Sequence, residues 1–175
     1  MENDILTNDP ESISYRRNCN TLVVFGTGVA IFGLWSTLKF IGYLIFGIPI
    51  LTAEELEEFP RLFYIVLIGL TLMILAGDVA LRFIVMRRAR AEGLGRKVTG
   101  RYLIILGIII AYGCYSVAYA IQDFLSATGA FGDKYVEIFV ELTVLFFEIE
   151  LFIAAVRVRK YKAKLEEIRR KKFAG

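Results

Sequence analysis

Four long apolar runs, at about 21–48, 62–86, 102–122 and 135–156, leave this chain few ways to fold. Each has enough residues to cross the roughly 30 Å hydrocarbon core of a bilayer at about 1.5 Å per residue. Covered by protein instead, runs of this length need a very large core, which 175 residues cannot build. A content of 57% hydrophobic and 22% charged residues, with a mean hydropathy of +0.58, points the same way, to a multi-pass membrane protein. In lipid each run has to be a helix, because an open strand leaves amides and carbonyls where no water reaches them, and four segments do not close a barrel. The expected fold class is all-α, an integral membrane four-helix bundle. Residues 1–20 form an N-terminal segment, 21–156 the four-span transmembrane domain, and 157–175 a basic, helical C-terminal extension. The first run exceeds the core thickness. Gly42, Gly47 and Pro49 mark where its outer end is expected to lose helical pairing, with a short re-entrant or interfacial piece at 43–50.

Charge in the connections sets an expected orientation. Residues 87–101 hold Arg87, Arg88, Arg90, Arg96, Lys97 and Arg101, and residues 157–175 hold nine Lys or Arg against Glu166 and Glu167. Both segments belong in the cytoplasm by the excess of basic residues found on that side of membranes. The 51–61 and 123–134 connections contribute only Arg61 and Lys134 as cations, and so face outward. The chain is therefore expected N-in and C-in, with an uncleaved first span, in a cell membrane. The run after Arg16-Arg17 is too long for a cleavable signal.

Several chemistries lack their residues. The chain has no histidine, which removes imidazole ligation of haem, zinc-binding His pairs and any Ser-His dyad. Cys19 and Cys114 have no Cys-x-x-Cys spacing. No cofactor, metal set or catalytic motif is readable. In size and helix number the chain resembles small multidrug transporters and four-span scaffold families. It is far longer than the former, lacks their glutamate early in the first span, and has no cysteine in its outer loops as claudin-like or tetraspanin-like proteins do. Leu75-Ala76-Gly77-Asp78 misses the first glycine of the Gly-x-Gly-Asp motif of intramembrane aspartyl proteases.

Small residues are expected where membrane helices meet. Gly107, Ala111, Cys114 and Ala118 form one stripe along the third span at helical spacing, and Gly26, Ala30 and Gly33 a shorter one on the first. These stripes suggest that spans one and three meet. Beside the third-span stripe, Tyr112, Tyr115, Ser116, Tyr119 and Gln122 make one face polar. They are either partners in interhelical hydrogen bonds and an outer aromatic belt or the lining of a polar cavity.

Charges inside the spans are the main functional candidates. Glu137, Glu141 and Glu148 fall within about 40° of one another around the fourth helix and form a single acidic stripe. Such a stripe faces the bundle interior or water, or else is protonated. Glu150 projects from the other side, within reach of Arg157 or Lys160. Asp78 and Arg82, four residues apart on span two, are expected to pair, and Glu148 lies at a similar depth. Lys39 matches the depth of Glu137 and Glu141, unless it snorkels to the outer headgroups.

The functions consistent with these residues are a transporter or channel-like protein whose carboxylates line a proton or cation path, and a non-catalytic accessory or scaffold subunit. A lipid-modifying enzyme has no residue to support it. Expected partners are the lipid bilayer, anionic lipid at the basic loop and tail, and a second copy or another membrane protein. Nucleic acid is not expected, because the basic residues are already required by orientation and no recognition fold accompanies them.

Overall fold

The computed structural model describes residues 10–45, 61–126 and 131–173. Four helices account for almost all of them: α1 (Pro10–Ile45), α2 (Arg61–Gly93), α3 (Arg101–Ser126) and α4 (Phe131–Phe173). No strand occurs among the described residues. Among the described residues three stretches are long and apolar enough to cross a membrane: Ser12–Gly42 of α1, Phe63–Gly93 of α2 and Arg101–Ser126, which is the whole of α3. The expected fourth run, 135–156, does not join them, because Glu141, Glu148 and Glu150 interrupt its apolar character.

The helices are longer than the apolar runs. α1 begins at Pro10, well before residue 21, and α4 continues through the basic tail to Phe173. Its 43 residues amount to roughly 65 Å, about twice the hydrocarbon thickness. Gly42 remains helical, contrary to the break expected there, because flanking Leu, Ile and Phe residues sustain the helix through an isolated glycine. Gly47 and Pro49 lie outside the described residues.

α2 ends in a Schellman turn. Arg96 N–H donates to the Ala91 carbonyl and Gly95 N–H to that of Glu92, both at 3.0 Å, with Gly95 at φ +82°. That left-handed backbone favours glycine, and the turn satisfies carbonyls that the helix end would otherwise leave open. The chain then reverses into α3 at Arg101.

α1 packs most extensively on α2 and then on α4, α4 packs on α3, and α2 meets α3 less extensively. This corrects the expected meeting of spans one and three, which have at most marginal contact. The Gly26, Ala30 and Gly33 stripe faces α2 instead: a Cβ on Gly26 would sit 3.4 Å from that of Ala89. On α3 the inward face is Tyr102, Leu106, Ile109, Gly113 and Val117. The small-residue stripe expected there points away. Ala111, Cys114 and Ala118 are exposed, and nothing lies within 4 Å of a Cβ on Gly107.

Among the described residues the core lies in one half of the bundle. Buried residues run from Leu22 to Gly33 on α1, Arg82 to Glu92 on α2, Tyr102 to Val117 on α3 and Glu148 to Val158 on α4, with Ser12 apart near the start of α1. No described residue is buried between 34 and 45, 63 and 81, 118 and 126, or 135 and 147. The packed half is the end to which residues 87–101, the start of α1 and the basic tail all come.

Candidate functional site

At the inner limit of this packed half, residues of all four helices meet around the Arg82–Glu148 pair. Asp78 and Arg82, one turn apart on α2, bring their side chains together, and Arg82 Nε donates to Asp78 Oδ2 at 2.8 Å. Arg82 Nη1 donates to Glu148 Oε1 of α4 at 2.6 Å. The Glu148 side chain is fully buried and that of Arg82 8% exposed, whereas Asp78 keeps 29% of its surface. One cation is thus shared by two carboxylates in a setting where exposure of any of them to hydrocarbon would be costly.

Two glycines make room for the cluster. A Cβ on Gly33 of α1 would lie 2.5 Å from Arg82 Cδ, so the arginine stem occupies the space that the glycine leaves. On α3, a Cβ on Gly113 would sit 3.1 Å from Glu148 Oε2 and 3.2 Å from Leu145 Cδ1. That same Oε2 is buried and has no hydrogen-bond partner among the described residues. Around the cluster Phe147 enters the space beside Gly28 and packs against Phe25 and Phe32, with ring centroids 4.7 and 5.3 Å apart.

A second polar cluster lies nearer the basic end. Glu92, 3% exposed, accepts from Arg159 Nε and Nη2, both at 2.9 Å, and from the Tyr102 hydroxyl at 2.6 Å. The Arg159 guanidinium also lies over the Tyr102 ring, 5.3 Å from its centroid. The hydrogen bonds that Arg159 donates to Glu92 hold its pKa above the ordinary value against an opposing effect of burial. A Cβ on Gly100 would run into Arg159 Nη1. The last turn of α2, the first turn of α3 and the tail helix are therefore fastened at one carboxylate.

Sequence reasoning overlooked this second cluster, because Glu92 and Arg159 sit in segments whose charges already had an explanation in orientation. Two spacings mark them. Arg82, Val85, Ala89 and Glu92 follow one another at three, four and three residues, the stripe that α2 buries. Arg159 lies eleven residues beyond Glu148, within about 20° of it around the helix. The pairing expected for Glu150 with Arg157 or Lys160 does not form among the described residues. Glu150 is half-buried, and the arginine that finds a buried carboxylate is Arg159.

The other candidates stand as follows. Glu141 is half-buried on the same helix, and the Glu137 side chain lies outside the described residues. Lys39 is exposed, has a partner of its own, and lies in the half where no described residue is buried. Tyr112, Tyr115 and Tyr119 are 62%, 68% and 63% exposed, with Ser116 half-buried and Gln122 exposed. The phenols point away from the other three helices, because Ile109, Gly113 and Val117 hold the inward face.

Among the described residues no group of His, Cys, Asp and Glu is arranged to hold a metal ion. Compared with known protein families, curated proteins and solved structures, the chain matches none. What the site can do rests on its geometry: a buried ion network that ties α2 to α4, fitted against glycines of α1 and α3.

Proposed function

We propose that the chain is a four-span membrane protein with both ends and residues 87–101 in the cytoplasm, acting as a non-catalytic accessory or scaffold subunit. The observation that carries this is the ion pairing of Arg82 with the buried Glu148. An ion or proton path needs its carboxylates within reach of water, and Glu148, the carboxylate deepest in the bundle, has no exposed surface. Its charge is answered by Arg82, so α4 can serve as a fourth span without presenting that carboxylate to lipid. The inward orientation of the basic end is supported by the gathering there of residues 87–101 and 157–173.

An accessory subunit needs a surface for its partner, and α3 offers one. Gly107, Ala111, Cys114 and Ala118 allow a neighbouring helix to approach closely, and the exposed phenols beside them need hydrogen-bond partners in hydrocarbon. A second copy or another membrane helix supplies both. Cys114 reports on this face directly. In a Cys19→Ser background, a short bis-maleimide applied to native membranes is expected to give an adduct with a second membrane chain, abolished by Cys114→Ser. A chain that stays unlinked would remove the support for assembly through α3.

One observation favours a second reading, in which Glu148 carries a proton: the unpartnered Oε2. Purified parent and Glu148→Gln proteins in liposomes under a pH gradient separate the two. The accessory role predicts no flux from either. Flux in the parent that Glu148→Gln abolishes would establish transport instead.

A further inference from the structure

Past the core, the start of α1 and the tail of α4 lie side by side, and Tyr15 stacks on Tyr161 with ring centroids 4.7 Å apart and planes 23° apart. The stack forms part of a groove of about 360 Å³. From α4, Arg157, Lys160 and Lys164 line it at three- and four-residue spacing, on the same face as Tyr161. No carboxylate is among the described residues that line it. Arg157 and Lys160 are exposed and form no ion pair among the described residues. From α1, Ser14 and Asn18 complete the groove. Asn18 Nδ2 donates to the Ser14 carbonyl at 2.7 Å and lies 3.4 Å from its hydroxyl oxygen as a second acceptor, which leaves the hydroxyl proton to donate elsewhere.

We propose that this groove binds one phosphate-bearing anion. Arginine offers a planar fork of donors that matches phosphate oxygens, lysine adds point charge, and the stacked rings give the ligand an apolar wall. The volume accommodates a single headgroup-sized ligand. Arg157 is the first residue after the fourth apolar run, so a membrane places the groove at headgroup level. The source of the phosphate is either an anionic phospholipid or a soluble phosphate compound. The inference goes beyond the accessory role and depends neither on it nor on the transport alternative.

The full chain in neutral detergent tests this, by titrating its melting midpoint with dioleoylphosphatidylglycerol, dioleoylphosphatidylcholine and inorganic phosphate. The double variant Arg157→Gln/Lys160→Gln is compared with Arg87→Gln/Arg88→Gln, which removes the same charge from exposed positions outside the groove. A saturable shift is expected with phosphatidylglycerol but not phosphatidylcholine if the source is lipid, and with inorganic phosphate if it is soluble. Binding should weaken about tenfold or more in the groove variant and stay near the parent in the control. Ser14→Glu, which places a carboxylate at the rim from α1, should weaken it independently and covers the case in which the double variant does not fold. Equal loss in the control would reduce the effect to diffuse charge and overturn the site. So would a groove variant that binds like the parent, or no saturable shift with any probe.

Discussion

A guanidinium between two carboxylates is worth more to this bundle for what its loss would leave behind than for its own attraction. Burying such a set is costly, and replacing it entirely with apolar side chains is often neutral, but removing one member strands the others. Arg82→Leu would leave Asp78 and the fully buried Glu148 facing each other without a cation. A loss of about 3–5 kcal/mol is expected at high pH, read as a lower melting midpoint in detergent, and a smaller one wherever protonation of the stranded carboxylates relieves it. A variant that melts like the parent at neutral and high pH alike would mean that water reaches the cluster. The glycines give a finer contrast. Gly113→Ala puts a methyl group 3.1 Å from Glu148 Oε2 and should cost about 1–3 kcal/mol. Gly107→Ala, six residues earlier and facing open space, should be neutral or stabilising by up to about 1 kcal/mol, because alanine is the better helix former.

At the scale of the helices, each apolar run could be recognised from the sequence, but the face that α3 turns inward could not. Gly113 and Cys114 are neighbours, so the buried stripe and the small-residue stripe are about 100° apart and equally periodic. Membrane packing rules favour the small one. It loses because α4 brings its own small residues, Ala154 and Ala155, to the core that receives Tyr102, Leu106 and Ile109 from α3. Which helix supplies bulk and which supplies space depends on the partner, and a single helix's sequence does not contain its partner. The Asp78–Arg82 pair was legible for the opposite reason, since both residues lie on one helix at fixed spacing. Glu92 and Arg159 were hidden because their link spans 67 residues of chain. Arg159→Gln should break the paired donors and leave Glu92 to Tyr102 alone. Hydrogen exchange at 93–101 is then expected to quicken while the amides around Leu106 and Leu151 keep their protection. Unchanged exchange at 93–101 would show that the Gly95 turn suffices. Because Arg159 has its pKa raised by folding, its contribution is present below the unfolded arginine pKa. The contrast with the variant should therefore persist between about pH 6 and 9.

For the whole molecule, the confinement of the core to one half has a consequence for how the chain sits in a membrane. The packed end carries the 87–101 connection, the start of α1 and the cationic groove, while the opposite half has no buried residue among those described. In the proposed orientation the basic end is the one that meets anionic headgroups. Insertion with that end inward puts residues 51–61, with Glu54, Glu55, Glu57 and Glu58, on the far side. Single cysteines test this in a Cys19→Ser/Cys114→Ser background. A probe at Glu55 should react with an impermeant maleimide applied to intact cells. One at Lys97, exposed in the connection between α2 and α3, should react only after the membrane is opened. Labelling of both from outside would mean that α2 does not cross, and with it the four-span topology would fail. Accessibility of Lys97 alone from outside would leave α2 crossing but invert the bundle, placing its basic end against the outer leaflet.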